Sequence, residues 1–225
     1  MHPYSHIVIA AKLETLVKPD TIKEYYWGAV APDMRYVAAL ERQKTHIPPE
    51  RIVEFISQYP DLKSFLQGYL VHCLCDEIEL RRVFLQHFLF SVLKNKLSYQ
   101  QIAAILELFY FENGKVNKNI SGRYNEFLYG LGLSETVSTM FSQSIRQYAL
   151  SSSPESILPN LFQLMGLEND SQINKYVTAA QSFQKNWLLK NSLFLGIRTG
   201  KISEQIVSMA VSLYQQWYVA GQKPD

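Results

Sequence analysis

Apolar residues recur at intervals of three and four positions along almost the whole of this 225-residue chain. One stretch places Ile102, Ile105, Leu106, Phe109 and Tyr110 on a single face of a helix. Sustained two-residue alternation of apolar and polar side chains, which is typical of half-buried strands, is nearly absent. The sequence therefore predicts an all-α fold with roughly ten helices, whose boundaries are marked by proline, glycine and serine.

The composition is that of a packed globular protein. Hydrophobic residues make up 47% of the chain and charged residues 19%, a balance that excludes disorder as the main state. A chain of this length can form one sizeable buried core without a second domain. We therefore predict a single helical domain over residues 1–225.

The two halves of the chain differ in character. All five histidines lie within residues 1–90, whereas residues 91–225 contain no histidine or cysteine. The segment 113–122 reads NGKVNKNISG and has no helical periodicity, so we predict a loop between the halves. Residues 1–90 are expected to form a metal-site half, and residues 91–225 a helical scaffold half.

The net charge and the lengths of the apolar runs limit the partners and the cellular location that we expect. The net charge of +2 is too small to predict a duplex nucleic-acid partner. The apolar run 7–11 is too short for the core of a signal peptide, and no apolar stretch reaches the length of a transmembrane helix. Cys73 and Cys75 are too close in sequence for a useful disulfide and are expected to be buried. We predict a cytoplasmic protein; no pattern indicates its oligomeric state.

His72 and Asp76 are four residues apart in the segment GYLVHCLCDEIEL. On a helix these side chains project from the same face, one turn apart. An imidazole and a carboxylate held on one rigid helix form a pair that zinc binds readily. A solvent-facing pair or a pair satisfied within the core is the alternative interpretation.

Three further residues are candidates for the same site. Asp33 follows an apolar run in GAVAPD, where it needs a partner or serves as the N-cap of the next helix. His46 lies at the end of a helix or in the turn after it, before a pair of prolines. His6 is expected on the polar side of the first helix.

The order of these segments, SHIVIA, GAVAPD, TH and GYLVHCLCD, resembles the zinc-dependent phospholipase C family and the single-strand nucleases of the same helical fold. The family pattern contains an early histidine, a G-x-x-x-P-D segment, a Thr-His pair and a G-Y-x-x-H-x-x-x-D helix. The resemblance covers residues 1–80 and implies the family's all-α fold. It implies these zinc ligands, with Asp76 able to bridge two ions: His6, Asp33, His46, His72 and Asp76.

Two departures from the family pattern reduce the expected number of zinc ions. Secreted members use the amino group of an N-terminal tryptophan as a ligand, whereas this chain begins Met1-His2-Pro3, where only His2 offers a substitute. The third zinc position of the family takes a later histidine and a His-x-x-x-Glu pair. Here only His87 follows, with Ser91 in place of the glutamate, so we expect one or two zinc ions and assign His87 to packing.

The resemblance implies a metal-dependent phosphoesterase. A metal-activated water would attack the phosphorus of a phosphodiester or phosphomonoester, with Asp33 orienting or deprotonating that water. Substrates in this class are small phosphoesters and phospholipids. The alternative is a non-catalytic helical protein that holds a structural zinc or no metal and acts as an interaction module. The helical HD phosphohydrolases are disfavoured because the chain has no adjacent His-Asp pair.

Other residues near these motifs have simpler explanations. Solvated helix faces account for the arginines closest to the site, and a packed core accounts for the aromatic run just before GAVAPD. The arginines are Arg35, Arg42, Arg81 and Arg82, and the aromatic run is Tyr25, Tyr26 and Trp27.

Overall fold

The computed structural model describes residues 1–87, 90, 99–114, 120–150 and 187–219. These residues are mostly helical and contain no strand, which confirms the predicted all-α class. None of the helices in the described ranges is long and apolar enough to cross a membrane.

The first part of the chain contains seven α-helices and two short 3₁₀ turns. The helices are α1 (Pro3–Val17), α2 (Ile22–Gly28), α3 (Met34–Val37), α4 (Arg42–Thr45), α5 (Pro49–Gln58), α6 (Lys63–Glu77) and α7 (Leu80–Leu85). The 3₁₀ turns are Ala31–Asp33 and Pro60–Leu62.

Five further helices are described in the second part. They are α8 (Tyr99–Asn113), α9 (Glu126–Gly130), α10 (Glu135–Ala149), α11 (Trp187–Thr199) and α12 (Ile202–Tyr214). A π-helical turn, Gln215–Val219, continues from α12.

Several helix boundaries fall where the sequence predicts them. Pro49 opens α5, where its missing N–H costs nothing. Ser134 is the N-cap of α10, and its side chain accepts a hydrogen bond from the backbone N–H of Val137. The predicted loop 113–122 begins at the end of α8, but residues 115–119 lie outside the described residues, as do the predicted boundaries at 97–98 and 153–154.

Helix α6 is the central element, packing against α1, α2, α5 and α12. Its crossing with α2 depends on two glycines. A Cβ atom added at Gly28 would lie 1.9 Å from the carbonyl oxygen of Phe65, and one added at Gly68 would lie 1.9 Å from that of Tyr25. The two backbones are therefore in direct contact, and the segment that follows α2 is held against α6.

Helices α1 and α8 pack against each other and are buried over long stretches. Residues 3–10 of α1 and residues 102–110 of α8 are all buried, including the five apolar residues predicted to form one face of α8. Tyr25, Tyr26 and Trp27 on α2 are also buried, which confirms their assignment to the core.

Candidate metal site

The five predicted ligands converge on one buried site from four parts of the chain. His6 lies on α1, Asp33 at the end of a 3₁₀ turn, His46 directly after α4, and His72 and Asp76 on successive turns of α6. Their ligand atoms form two overlapping groups, His6–Asp33–His72 and His46–His72–Asp76, each with all atoms within 4.8 Å of one another. The fold therefore brings together residues that are up to 70 positions apart in the chain.

Asp76 is the centre of the charge network. Its Oδ1 accepts a hydrogen bond from the amino group of Met1 and lies 3.4 Å from Nε2 of His6. Its Oδ2 lies 3.1 Å from Nε2 of His46 and accepts a hydrogen bond from Arg42 at 2.9 Å. Burial alone would raise the pKa of Asp76, but the amino group and the two imidazoles hold it well below its usual value. The carboxylate is ionised, which is the state that binds a metal.

His72 is oriented by a hydrogen bond behind the site. Its Nδ1–H donates to the backbone carbonyl of Ala29 at 2.8 Å, because a carbonyl can only accept. Burial, reinforced by His6, lowers the pKa of His72 well below its usual value, so the ring is neutral. The lone pair of Nε2 therefore faces the site, 3.2 Å from Nε2 of His46, in the arrangement typical of a metal-binding histidine.

His6 corrects one expectation from the sequence. It was expected on the polar side of the first helix, but its side chain is 0% exposed and stacks on His72 with ring centroids 3.8 Å apart. Within the described residues neither ring nitrogen makes a hydrogen bond, despite the approach to Asp76. Burial lowers the pKa of His6 to about 4, so the ring is neutral. A buried imidazole without hydrogen bonds is costly, and a bound cation would satisfy it.

Asp33 is buried beside His72 without capping the helix that follows. It occupies the N-cap position of α3, yet its side chain makes no capping hydrogen bond. Its Oδ1 lies 4.0 Å from Nε2 of His72, beyond hydrogen-bond distance. Burial, together with the charge of Asp76, raises the pKa of Asp33 to about 7. The capping alternative therefore does not account for this carboxyl group.

His46 follows α4, as predicted, and is held by its neighbours. Its Nδ1 lies 3.2 Å from the hydroxyl of Thr45. The backbone carbonyl of Thr45 in turn accepts a hydrogen bond from the Tyr69 hydroxyl on α6. Burial lowers the pKa of His46, so this third imidazole is also predominantly neutral at neutral pH.

The remaining histidines and cysteines lie outside both groups of ligand atoms. Nε2 of His87 lies 3.4 Å from the side-chain oxygen of Gln205 on α12, in keeping with its assignment to packing. His2 is partly buried, and burial with the nearby amino group lowers its pKa to about 3. Cys73 and Cys75 are buried and make no disulfide, as expected.

Of the arginines near the motifs, only Arg42 is seen to contact one of the five ligand residues in the described part of the chain. Its side chain is 53% exposed while its guanidinium pairs with Asp76. The guanidinium of Arg35 lies 3.8 Å from the ring centroid of Tyr36. Arg81 and Arg82 are exposed, in keeping with a solvated helix face.

Glu107 on α8 is an important residue that the sequence analysis did not identify. Its carboxylate accepts hydrogen bonds from the backbone N–H groups of Tyr4 and Ser5 at 2.7 and 2.8 Å, and from the Ser5 hydroxyl at 2.6 Å. The hydroxyl of Tyr148 on α10 donates a fourth. Glu107 thus accepts hydrogen bonds from backbone N–H groups in the first turn of α1, directly before His6, where such groups have no partner within the helix. A lone carboxylate in the apolar run 102–111 was the available signal.

Comparison of the chain with known protein families, with curated proteins and with solved structures gives no match. The resemblance to the zinc-dependent phospholipases C therefore rests on the motif residues themselves. Their chemistry suits zinc, because three neutral imidazoles and two carboxylates are nitrogen and oxygen donors that this ion accepts. The unsatisfied ring nitrogens of His6 fit the same assignment.

Proposed function

We propose that the chain is a zinc-dependent phosphoesterase of the phospholipase C type. The observation that carries this proposal is the convergence of five metal-ligand side chains, from four parts of the chain, on one buried site. The ring nitrogens of His6 have no hydrogen-bond partner within the described residues that would explain their burial, and Asp33 is buried without capping the helix that follows it. The order of the motifs resembles that of the zinc-dependent phospholipases C, and this resemblance suggests phosphoester hydrolysis as the reaction.

The hydrogen bond to Ala29 limits how the ligands are shared. His72 has one nitrogen left for a metal, so it would serve one ion, either with His6 and Asp33 or with His46 and Asp76. The two oxygens of Asp76 face different partners, His46 on one side and His6 on the other. Asp76 would therefore be available to an ion on either side, which agrees with one or two zinc ions.

A bound zinc ion supplies Lewis acidity, which makes water more acidic and stabilises negative charge on phosphoryl oxygens. The chain's own residues complete the chemistry. Asp33 would orient the attacking water or accept its proton. His46 would offer Nε2 to the metal and keep its ring proton on Nδ1, from which the Thr45 hydroxyl can accept a hydrogen bond. Arg42, half exposed beside Asp76, would bind a phosphoryl oxygen.

The proposed reaction is hydrolysis of a phosphoester. The oxygen of water forms a bond to phosphorus, the bond between phosphorus and the leaving oxygen breaks, and that oxygen leaves as an alcohol. The substrate class is a small phosphodiester, a phosphomonoester or a phospholipid head group. The cationic edge formed by Arg42 agrees with an anionic substrate.

A structural zinc site is the second candidate function. The observation that favours it is the depth of the site, since His6 and His72 are 0% exposed and Asp33 is 5% exposed. A zinc ion closed off by four protein ligands leaves no position for water. In that case the metal would join α1, α4 and α6, and the chain would serve as an interaction module.

Metal content and activity of the same preparations distinguish these candidates. Zinc is measured by elemental mass spectrometry in the wild type, Asp76→Ala and His72→Ala, with His87→Ala as the control outside the site. Hydrolysis of bis-p-nitrophenyl phosphate and p-nitrophenyl phosphate is assayed in parallel. We expect both variants of the site to lose zinc and hydrolysis, and His87→Ala to keep both.

The zinc stoichiometry decides between the outcomes. A loss of about two equivalents in Asp76→Ala, with loss of hydrolysis, supports the bridged hydrolytic site. If Asp76→Ala loses about one equivalent and the wild type hydrolyses neither ester, the result supports the structural site. Unchanged zinc in His72→Ala, or no zinc in the wild type, contradicts a metal function for this site.

A further inference from the structure

A cavity with a volume of about 770 Å³ lies between α1, α8, α11 and α12. It shares no residue with the candidate metal site. Val8, Ala11 and Lys12 of α1 line it, and these positions lie on the side of the helix opposite His6. Ligand pockets typically span roughly 300–1,000 Å³, so the cavity can hold a small organic molecule.

The floor of this cavity is apolar. Val8, Phe109, Ile197 and Val207 contribute side chains from all four helices. The hydroxyl of Tyr110 accepts a hydrogen bond from that of Ser203 at 3.0 Å, so its polar end is already paired. The floor therefore suits a hydrocarbon chain.

The rim of the cavity is cationic. Among the lining residues that the structure describes, Lys12, Arg198 and Lys201 stand against one acidic residue, Glu204. Arg198 donates a hydrogen bond to Asn113, and its guanidinium lies 5.9 Å from the ring centroid of Phe109. An excess of two positive charges at the mouth of an apolar cavity favours an anionic group on the ligand.

The start of α12 adds to the positive potential of this rim. Lys201 is its N-cap residue and makes no capping hydrogen bond through its side chain within the described structure. It adopts a left-handed conformation with φ 51°, which is uncommon for a residue with a Cβ atom. The N-terminal end of a 13-residue helix, with Ser203 and Glu204 in its first turn, thus borders the same cavity.

We propose that this cavity binds an anionic amphiphile with a single hydrocarbon chain. The chain lies on the apolar floor, and a carboxylate or phosphate head group lies between Lys12, Lys201 and the start of α12. A neutral lipid would leave the excess positive charge of the rim uncompensated, and a cationic amphiphile would be repelled. The inference does not depend on zinc or on phosphoester hydrolysis.

Isothermal titration calorimetry with four ten-carbon probes tests the proposal. Decanoate and decyl phosphate carry the two anionic head groups, decanol is neutral, and decyltrimethylammonium is cationic, all used below their micelle concentrations. We expect either or both anions to bind, and both other probes to bind at least about tenfold more weakly. A preference between decanoate and decyl phosphate identifies a free fatty acid or a phosphorylated lipid as the source of the head group.

Variants of the exposed rim assign the binding to this cavity. Lys12→Gln/Lys201→Gln should weaken binding of the anionic probe about tenfold and leave decanol unchanged, whereas Glu204→Gln should tighten it. Lys44→Gln, which removes an exposed cation near the metal site, is the matched control and should have no effect. Failure of both anions to bind, equal binding of all four probes, or unchanged affinity in the double variant would overturn the proposal.

Discussion

Two buried carboxylates, Asp76 and Glu107, lie close to the N-terminal half of α1 in different surroundings. Glu107 accepts four hydrogen bonds from three residues, and it is 0% exposed. Asp76 lies among an amino group, an arginine and two histidines, one of which makes no hydrogen bond. The first environment is complete in the chain alone, whereas the second has donor atoms left over.

This difference separates a structural carboxylate from a candidate metal ligand. A fully hydrogen-bonded buried acid fixes the helix that it caps, and nothing is gained by adding an ion. A group of neutral imidazoles around carboxylates is costly to bury and becomes favourable when a cation is bound. We therefore expect zinc to act on the Asp76 site and to leave the Glu107 site unaffected.

The largest expected effect is stabilisation of the wild type by zinc. A ligand that binds only the folded state at a thousand times its dissociation constant stabilises by about 4 kcal/mol. We expect a shift of this size in denaturant unfolding of the metal-free protein when zinc is added, and a loss of most of it in His46→Ala. His87→Ala, outside the site, should keep the full shift.

Replacing Glu107 should have the next largest effect, and on the fold alone. In Glu107→Gln the amide NH₂ would face other donors, such as the N–H and hydroxyl of Ser5, and could not accept their hydrogen bonds. We therefore expect a loss of about 3 kcal/mol in unfolding free energy. The exposed ion pair Lys190–Glu112 offers a control, because Glu112→Gln should cost under about 1 kcal/mol.

The same variant tests the separation of the two sites. Folded Glu107→Gln should still bind zinc with the stoichiometry of the wild type. Loss of zinc without loss of stability would show that Glu107 belongs to the metal site and would end the distinction between the two carboxylates.

His6 should give the metal-free protein a characteristic dependence on pH. Burial lowers its pKa from 6.5 to about 4 in the folded state, so the unfolded chain binds more protons below pH 6.5. The stability contributed by neutral His6 is therefore complete above pH 6.5 and falls as the pH decreases towards 4. Between pH 6.5 and about pH 5 the loss is roughly 2 kcal/mol.

Urea unfolding of metal-free wild type and His6→Gln at several pH values measures this contribution. The variant should lose less stability than the wild type as the pH falls. Asp33 acts in the opposite direction, because its raised pKa favours the folded state as the pH falls below about 7. Both proteins contain Asp33, so the difference between their pH profiles isolates the contribution of His6. Parallel pH profiles would show that His6 is not buried in its neutral form.

The helical class and the placing of His72 beside Asp76 could be predicted from the sequence because both depend on short-range patterns. Intervals of three and four residues define helices, and Pro49 and Ser134 mark their starts. His72 and Asp76 are one helical turn apart whatever the tertiary structure. The other three candidate ligands were predicted only from a resemblance in the order of motifs to a known family, and the structure places them beside His72 and Asp76.

The features that were missed depend on contacts distant in sequence. His6 was expected on a polar face because polar side chains usually face solvent, but α8 covers that part of α1 and supplies Glu107. Glu107 lies over 100 positions from Ser5, and no local pattern encodes that pairing. The second half of the chain is thus more than packing, since it caps the helix that carries His6.

The smallest expected effect comes from Tyr148, which supplies one of the four hydrogen bonds to Glu107. Tyr148→Phe keeps the buried ring and removes only the hydroxyl, so we expect a loss of about 1 kcal/mol in unfolding free energy and unchanged zinc content. Tyr124→Phe is a suitable comparison, because that hydroxyl donates to the neutral carbonyl of Leu133 at 2.7 Å. A bond to a carboxylate is stronger than one to a carbonyl, so Tyr148→Phe should cost more. Equal losses would contradict an ionised carboxylate as the acceptor at Glu107.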